Sequence, residues 1–400
     1  MITTGGAATR TPGVRRTLVL ALLARVPIGA LSLLIILVVR ESGRSYGQAG
    51  LASGACALGM TISAPIMGRL MDRLGQTGIL LAAAVATVIT FFGFAVLPDS
   101  APDWAYPAVA FLCGVSLPPV SASVRVIWGR MLDAPAFNRI VTLDASLQEL
   151  AFMLGPLVLV TAATQVGAAA ALAITGVAWG AVTAVFALLP ETRAVGGSAQ
   201  PVAASLWGPV REHGVRTLLL VAIALGTCIG ASELGVVAVA DEHGARAYIG
   251  LLYGAWCLGS LAGGLVSMRR PPRDLIGRTQ ALLIFVAVAT AALALAPGPA
   301  ALGVMLLVAG VANAPLFGAV YTVMADVARP ETVTEAYSLQ TAGLTVGIAL
   351  GAAAAGAIAN ATSASAAFLA AAAAMFAGAA TFHRAMGGLR RAAPAGSTAG

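Results

Sequence analysis

Apolar and polar residues fall along this chain in long blocks rather than at the short periods of a soluble fold. Apolar runs occupy roughly 17–39, 47–67, 79–97, 104–127, 141–163, 168–189, 216–240, 247–268, 279–296, 301–325, 336–358 and 364–382. Each is close to the ~20 residues needed to cross a bilayer's hydrocarbon core as a helix. The pattern predicts an all-α polytopic membrane protein with twelve transmembrane helices. The longest polar interval, 190–215, opens with Pro190-Glu191-Thr192-Arg193 and divides the chain. The expected organisation is an N-terminal segment 1–16, a six-helix bundle 17–189, a linker 190–215, a second six-helix bundle 216–385 and a tail 386–400. Within the linker, Leu206, Trp207 and Val210 fit either one side of a short interfacial helix or a plain solvated connection.

The two halves resemble each other. Arg16-Thr17-Leu18 returns as Arg216-Thr217-Leu218, and the glycine pattern from Gly50 to Gly59 returns from Gly250 to Gly259. Gly114-Val115 with Pro119 recurs as Gly310-Val311 with Pro315, and Ser146-Leu147-Gln148 with Gly155 recurs as Ser338-Leu339-Gln340 with Gly347. The offset drifts from 200 through 196 to 192, as loop deletions would make it. Two pseudo-symmetric bundles follow, an arrangement in which membrane transporters place their substrate site at the repeat interface. Glycine faces on spans two (Gly50, Gly54) and eight (Gly250, Gly254, Gly259, Gly263) predict close helix packing.

Composition fixes the medium. Charged residues make up 10% and hydrophobic residues 59%, with a mean hydropathy of +0.92, so too little polar surface exists to face water all round. All 23 basic residues are Arg; with the N-terminus inside, nineteen lie on cytoplasmic segments or helix ends, three (Arg40, Arg44, Arg246) lie outside, and Arg25 sits within a span. The positive-inside rule therefore predicts a multi-pass protein of the cytoplasmic membrane with both termini cytoplasmic. The +7 balance follows from that topology and does not point to nucleic acid. Residues 1–15 carry no cleavage signal ahead of the first span, which is expected to be retained. Cys56, Cys113, Cys228 and Cys257 fall in apolar runs without metal-ligand spacing, and read as free thiols. His213, His243 and His383 are far apart, and no nucleotide-binding loop appears. The chain thus reads as a non-enzyme without cofactor or metal.

Between spans two and three stands Gly68-Arg69-Leu70-Met71-Asp72-Arg73-Leu74-Gly75-Gln76-Thr77. It resembles the cytoplasmic loop signature of the major facilitator superfamily, in which glycine, a small spacer, aspartate, arginine and a second glycine precede two basic residues. Gly68, Leu70, Asp72, Arg73 and Gly75 match; Gln76 and Thr77 depart. Gly68 and Gly75 are expected to permit a tight turn, and Asp72 needs a positive partner. The resemblance implies that this partner includes the N-terminus of span eleven, near Glu335 to Ser338, helped by Arg125 or Arg130, in a contact that holds the cytoplasmic side closed. In the second half Met268-Arg269-Arg270-Pro271-Pro272-Arg273-Asp274 replaces the motif, so the lock is expected to be asymmetric. Gly155-Pro156 on span five resembles a degraded form of the glycine-proline antiporter motif of drug exporters, with Ala151 and Leu159-Val160 at positions where glycine is expected. The arginine that many proton-coupled exporters carry in span four is missing from residues 107–117.

An Arg at mid-span costs roughly 2.5–3.5 kcal/mol on insertion scales, so Arg25 needs a partner or a watery cavity. Spans one and five are neighbours in the resembling fold, and Glu149 lies at matching depth. An Arg25–Glu149 pair with Gln148 and Asp144 alongside is the expectation, either as a fixed structural bridge or as part of substrate or proton coupling. Glu233, among Gly230, Ala231, Ser232 and Gly235 on span seven, fits either an interfacial carboxylate or a site for a proton or a cationic group. Asn313, Phe317 and Tyr321 recur at helical spacing and would line a cavity opposite Tyr253 and Trp256; simple packing fits them too. Together these features predict a monomeric secondary transporter in the lipid bilayer that exports small amphipathic organic substrates, coupled to protons, by alternating access. The alternatives are an uptake carrier for a metabolite and a non-transporting membrane sensor built on the same fold.

Overall fold

The computed structural model describes residues 12–133, 154–196, 212–269, 274–329 and 333–392, together with residues 136–137, 140, 143–144, 147–148 and 151. Every regular element among them is helical. We number the helices α1 (Pro12–Glu41), α2 (Tyr46–Leu74), α3 (Gln76–Ala95), α4 (Ala105–Ser116), α5 (Val120–Met131), α6 (Thr161–Val166), α7 (Ala168–Leu188), α8 (His213–Glu242), α9 (Ile249–Arg269), α10 (Leu275–Leu293), α11 (Pro299–Gly310), α12 (Asn313–Val327), α13 (Val333–Ala361) and α14 (Ala364–Ala392). Eleven helices among the described residues are long and apolar enough to cross a membrane, counting α4–α5 and α11–α12 as one crossing each. Predicted span five is described only in part, ending in the apolar stretch Pro156–Val166. All-helical spans are what lipid demands, because each backbone polar group must be satisfied within its own segment.

The chain forms two compact units: Met1–Ser42 with Gly59–Val202, and Gly43–Leu58 with Ala203–Gly400. In the first, α3 and α7 pack through missing side chains. A Cβ on Gly180 would crowd the Ala84 carbonyl and Val88, and one on Gly176 would strike Phe91. Phe91 instead meets Trp179 edge to face at 5.9 Å. Trp128 of α5 is fully buried and donates from Nε1 to Thr17 Oγ1 of α1 at 2.9 Å.

In the second unit α8 and α13 approach backbone to backbone. Cβ atoms on Gly226 and Gly230 would overlap the carbonyls of Leu344 and Ile348, and reciprocally Gly347 and Gly351 face Ile223 and Thr227. The same packing joins Gly50 to Ala352, Gly259 to Leu307 and Gly263 to Val311. Without a hydrophobic drive between helices in lipid, such close contact is the main source of association.

Both halves of the sequence use the same devices at corresponding places. α1 and α8 end in left-handed glycines, Gly43 (φ +73°) and Gly244 (φ +63°), where a side chain would strain the backbone. Glu41 at the end of α1 accepts from Ala168 N at the start of α7, 2.8 Å. Glu242 at the end of α8 accepts from Ala364 N at the start of α14, 3.1 Å. Each carboxylate thus satisfies an orphan N–H and meets the positive end of a helix dipole.

Spans four and ten are broken where the Gly-to-Pro element recurs. α4 stops at Ser116 and α5 starts after Pro118-Pro119; α11 stops at Gly310 and α12 starts at Asn313, with Pro315 unable to donate to the preceding turn. At the other end of the second unit, α14 continues to Ala392, ten residues past the predicted span.

Candidate functional site

The first unit buries an ion pair inside the membrane segment. Arg25 lies mid-way along α1, two residues before Pro27, and both Arg25 and Asp144 are 1% exposed. The guanidinium grips the carboxylate with two nitrogens: Nη1 donates to Oδ1 and Nη2 to Oδ2 at 3.0 Å. Its Nε donates to Ser121 Oγ on α5 at 2.9 Å. Glu149, the partner expected from depth, lies outside the described residues, as does any contact it makes. Gln148, half-buried, is one helical turn beyond Asp144.

Irregular backbone surrounds this pair. Pro27 lies inside α1 and removes a backbone donor from it, Pro118-Pro119 separate α4 from the turn bearing Ser121, and Pro156–Val160 forms a π-helical stretch in span five. Gly155 sits so close to α1 that a Cβ would overlap the Val26 carbonyl. π-turns and broken helices inside a membrane are tolerated where a cavity or partner satisfies the freed groups, and they gather at functional sites.

The loop motif is only partly a turn. α2 ends at Leu74 and α3 begins at Gln76, with Gly75 at φ +86° as the single linking residue, as expected. Gly68, also expected in the turn, is instead inside α2, where the helix runs six residues further before stopping. Asp72 and Arg73 are exposed at the helix end, and Arg125 is exposed on α5. Gln76, where the sequence departs from the signature, is buried at 3% exposure and accepts from Ser123 Oγ at 2.6 Å, tying α3 to α5. The side chain of Glu335 lies outside the described residues. Arg329 pairs with Glu212 at 3.2 Å.

In the second unit the aromatic residues divide between two small pockets. Tyr253 and Trp256 of α9 meet edge to face at 5.5 Å, and with Ser232, Thr290 and Asn313 they line a cavity of about 30 Å³, enough for a water molecule or two. Glu233, 8% exposed, follows Ser232 on α8 and lies within electrostatic reach of Tyr253. Phe317 and Tyr321 do not share this cavity. They line a second one of about 10 Å³ with Leu225, Leu344 and Gln340. Three polar residues to which the sequence reading gave no site role, Ser121, Gln76 and Gln340, are thus at the sites; the repeat marked Gln340 and the departure from the loop signature marked Gln76. Cys56, Cys113 and Cys228 are buried and Cys257 is half-buried, all as free thiols.

Comparison with known proteins agrees with this architecture. The family model described as Major Facilitator Superfamily matches residues 17–301 and again 236–397. No curated protein matches the chain. Among solved structures, a mutant of the nucleoside transporter NupG is similar with a TM-score of 0.72 at 14% identity, covering 93% of this chain and 99% of that one. A bacterial homolog of the human lysosomal transporter Spinster, inward-facing and occupied, gives 0.71 at 13% identity with 96% of each chain covered. A mutant of the peptide transporter POT in complex with sulfate gives 0.73 at 12% identity with 95% of each covered. At these identities the likeness speaks for the fold.

Proposed function

Since the chain belongs to the Major Facilitator Superfamily and is a multi-pass membrane transporter, we propose that it exports small amphipathic organic compounds in exchange for protons by alternating access. The observation that carries this reading is the buried Arg25–Asp144 bridge beside a proline-bearing helix, a broken span and a π-helical stretch. With Asp144 ionised, the bridge is neutral as a pair and holds α1, α5 and span five together. A proton on Asp144 leaves Arg25 charged and under-satisfied, so α1 must move, or the cavity must admit water or substrate. Occupancy by a proton and the position of α1 are thereby linked, as coupling requires. Glu233 beside Tyr253 is a second carboxylate through which protons pass in this reading.

The remaining parts follow from the sequence. Asp72 and Arg73, with Arg125, close the cytoplasmic side against the head of α13. The 190–215 linker and both termini lie in the cytoplasm, and the bundles 17–189 and 216–385 act as the moving bodies of a monomer. Uptake of a metabolite is the second reading; similar folds are named as a nucleoside and a peptide transporter, with no direction in the name.

The test uses everted membrane vesicles with an inside-acid gradient and a pH-reporting dye. A panel of amphipathic amines, nucleosides and dipeptides is added in turn. Export by proton exchange predicts that at least one amphipathic compound collapses the gradient with the native chain and not with Asp144→Asn. Gradient-independent movement of a nucleoside or dipeptide in both proteins would overturn proton exchange in favour of a carrier.

A further inference from the structure

Gln340 of the repeated Ser-Leu-Gln element has no role in proton exchange or gating. It lies on the second turn of α13, is only 4% exposed, and its Oε1 is buried with no hydrogen-bond partner. A buried carbonyl oxygen without a donor costs free energy that a packed protein ordinarily avoids. The oxygen belongs to a residue lining the smaller pocket, together with Phe317, Val320 and Tyr321 of α12, Ala222 and Leu225 of α8, and Leu344. Phe317 and Tyr321, one helical turn apart, are half-exposed, whereas Gln340 is buried. The aromatic side chains therefore form the mouth and the amide the floor. Tyr321 is held in place: its ring packs on Tyr337 at 5.5 Å, and its backbone carbonyl accepts from Tyr337 Oη at 3.3 Å.

We propose that this pocket binds an uncharged N–H or O–H donor of the transported molecule, with Gln340 Oε1 as acceptor and the Phe317 and Tyr321 rings against the apolar or aromatic body that bears the donor. The proposal rests on the reading of the chain as a carrier of small organic compounds and names the chemistry of their recognition. A neutral donor is required because the lining carries no charge, and an ion brought there would lose its hydration uncompensated. The repeat sharpens the point. The first unit places Asp144 one turn before Gln148, but the position one turn before Gln340 is Ala336, fully buried. The second unit thus keeps the amide and has lost the carboxylate. The free volume, about 10 Å³, is at the lower limit for a water molecule, so a single donor group fits as the pocket stands, and the rings at its mouth must part for the rest of the molecule.

The experiment reads binding to the purified full chain in detergent, so that loss of proton coupling in Asp144→Asn leaves it untouched. Matched probes that differ only in the donor, indole and 1-methylindole, are measured by equilibrium dialysis with the native chain, Gln340→Leu and Gln340→Asn. The native chain is expected to prefer indole about tenfold, the range of one hydrogen bond whose loss strands a buried acceptor. Gln340→Leu should bind both compounds equally. It should also unfold at a higher temperature than the native chain when no compound is present, because the orphaned acceptor is gone. Gln340→Asn, one methylene shorter, should lose most of the preference while keeping an amide. Equal binding of the two probes by the native chain, binding of neither, or a preference that survives in Gln340→Leu would overturn the assignment. A Gln340→Leu chain less stable than the native one would overturn it as well, since the amide would then be satisfied internally.

Discussion

The Arg25–Asp144 bridge makes the sharpest energetic prediction. Both side chains are 1% exposed, so neither charge is relieved by water when the other is removed. Asp144→Ala leaves a guanidinium with Ser121 as its remaining described partner, and Arg25→Met leaves a bare carboxylate. Breaking a buried pair in this way costs roughly 3–5 kcal/mol. Replacing both, as Arg25→Met with Asp144→Leu, removes the two charges together, and such exchanges range from neutral to stabilising by about 1–4 kcal/mol. The double-mutant cycle should therefore show a large favourable coupling, well beyond the ~0.5 kcal/mol within which independent sites add. Unfolding in mixed micelles, followed by the fluorescence of buried Trp128 and Trp179, gives the four stabilities. The double variant is expected to fold like the native chain and yet carry no proton-coupled flux, which separates the structural cost from the functional one. A single Asp144→Ala change costing under about 1 kcal/mol, or a double variant no better than the worse single one, would refute a buried bridge.

Three further outcomes are expected. Glu41→Ala and Glu242→Ala each remove a helix cap and should cost about 0.5–2 kcal/mol, adding in the double variant because the two caps lie in separate units; strong non-additivity would show that they do not act locally. Asp72→Asn should shift the population toward the inward-open state by several-fold to tens-fold, from a helix-end contact worth about 0.3–1 kcal/mol and up to ~2 when partly buried; an unchanged distance distribution between labels on the cytoplasmic ends of α2 and α13 would leave the motif with no gating role. Cysteines at positions 200 and 243 should react with an external impermeant reagent only at 243, and the opposite pattern would reverse the orientation.

Much of this was legible because lipid narrows the choices. A segment without charge in the bilayer must be a helix, so hydropathy located the spans; the breaks in spans four and ten fall at the Gly-to-Pro element that the sequence repeats. Gly75 was legible from its place between two helices. Gly68 was not, because nothing in its neighbourhood ends the helix and α2 simply continues through it. The partner of Arg25 shows the deeper limit. Hydropathy gives depth along a span but not direction around it, so Asp144 stood only alongside the expected pair although the structure sets it against Arg25; Glu149 lies outside the described residues. The face that meets α1 is decided by tertiary packing, through contacts such as Gly155 on Val26. Likewise Asn313, Phe317 and Tyr321 read as one stripe at helical spacing, but α12 begins at Asn313 just beyond the break, so that residue opens toward Tyr253 and Trp256 while the other two face Gln340.

What the two repeats share and what they do not divides along a physical line. Both keep the features that set backbone geometry: the left-handed glycines Gly43 and Gly244, the capping carboxylates Glu41 and Glu242, and the close approach of Gly155 to Val26 and of Gly347 to Ile223. They differ in what the same scaffold presents to its interior. In the first unit it presents a charged pair, Arg25 with Asp144; in the second, Ala336 replaces the carboxylate and an uncharged amide waits for a donor. A buried charge responds to protonation by many kcal/mol, whereas a neutral hydrogen bond responds by about one. The first arrangement suits energy coupling, which needs a large change on a single binding event, and the second suits recognition, which needs a site that releases its ligand. The division of labour that we propose, coupling in the first bundle and recognition in the second, therefore follows from the strength of the interactions each can offer. Exchanging the two chemistries by Asp144→Ala with Ala336→Asp should abolish proton coupling without restoring it in the second bundle, because that bundle has no arginine at the position of Arg25, where the 200-residue offset places Leu225.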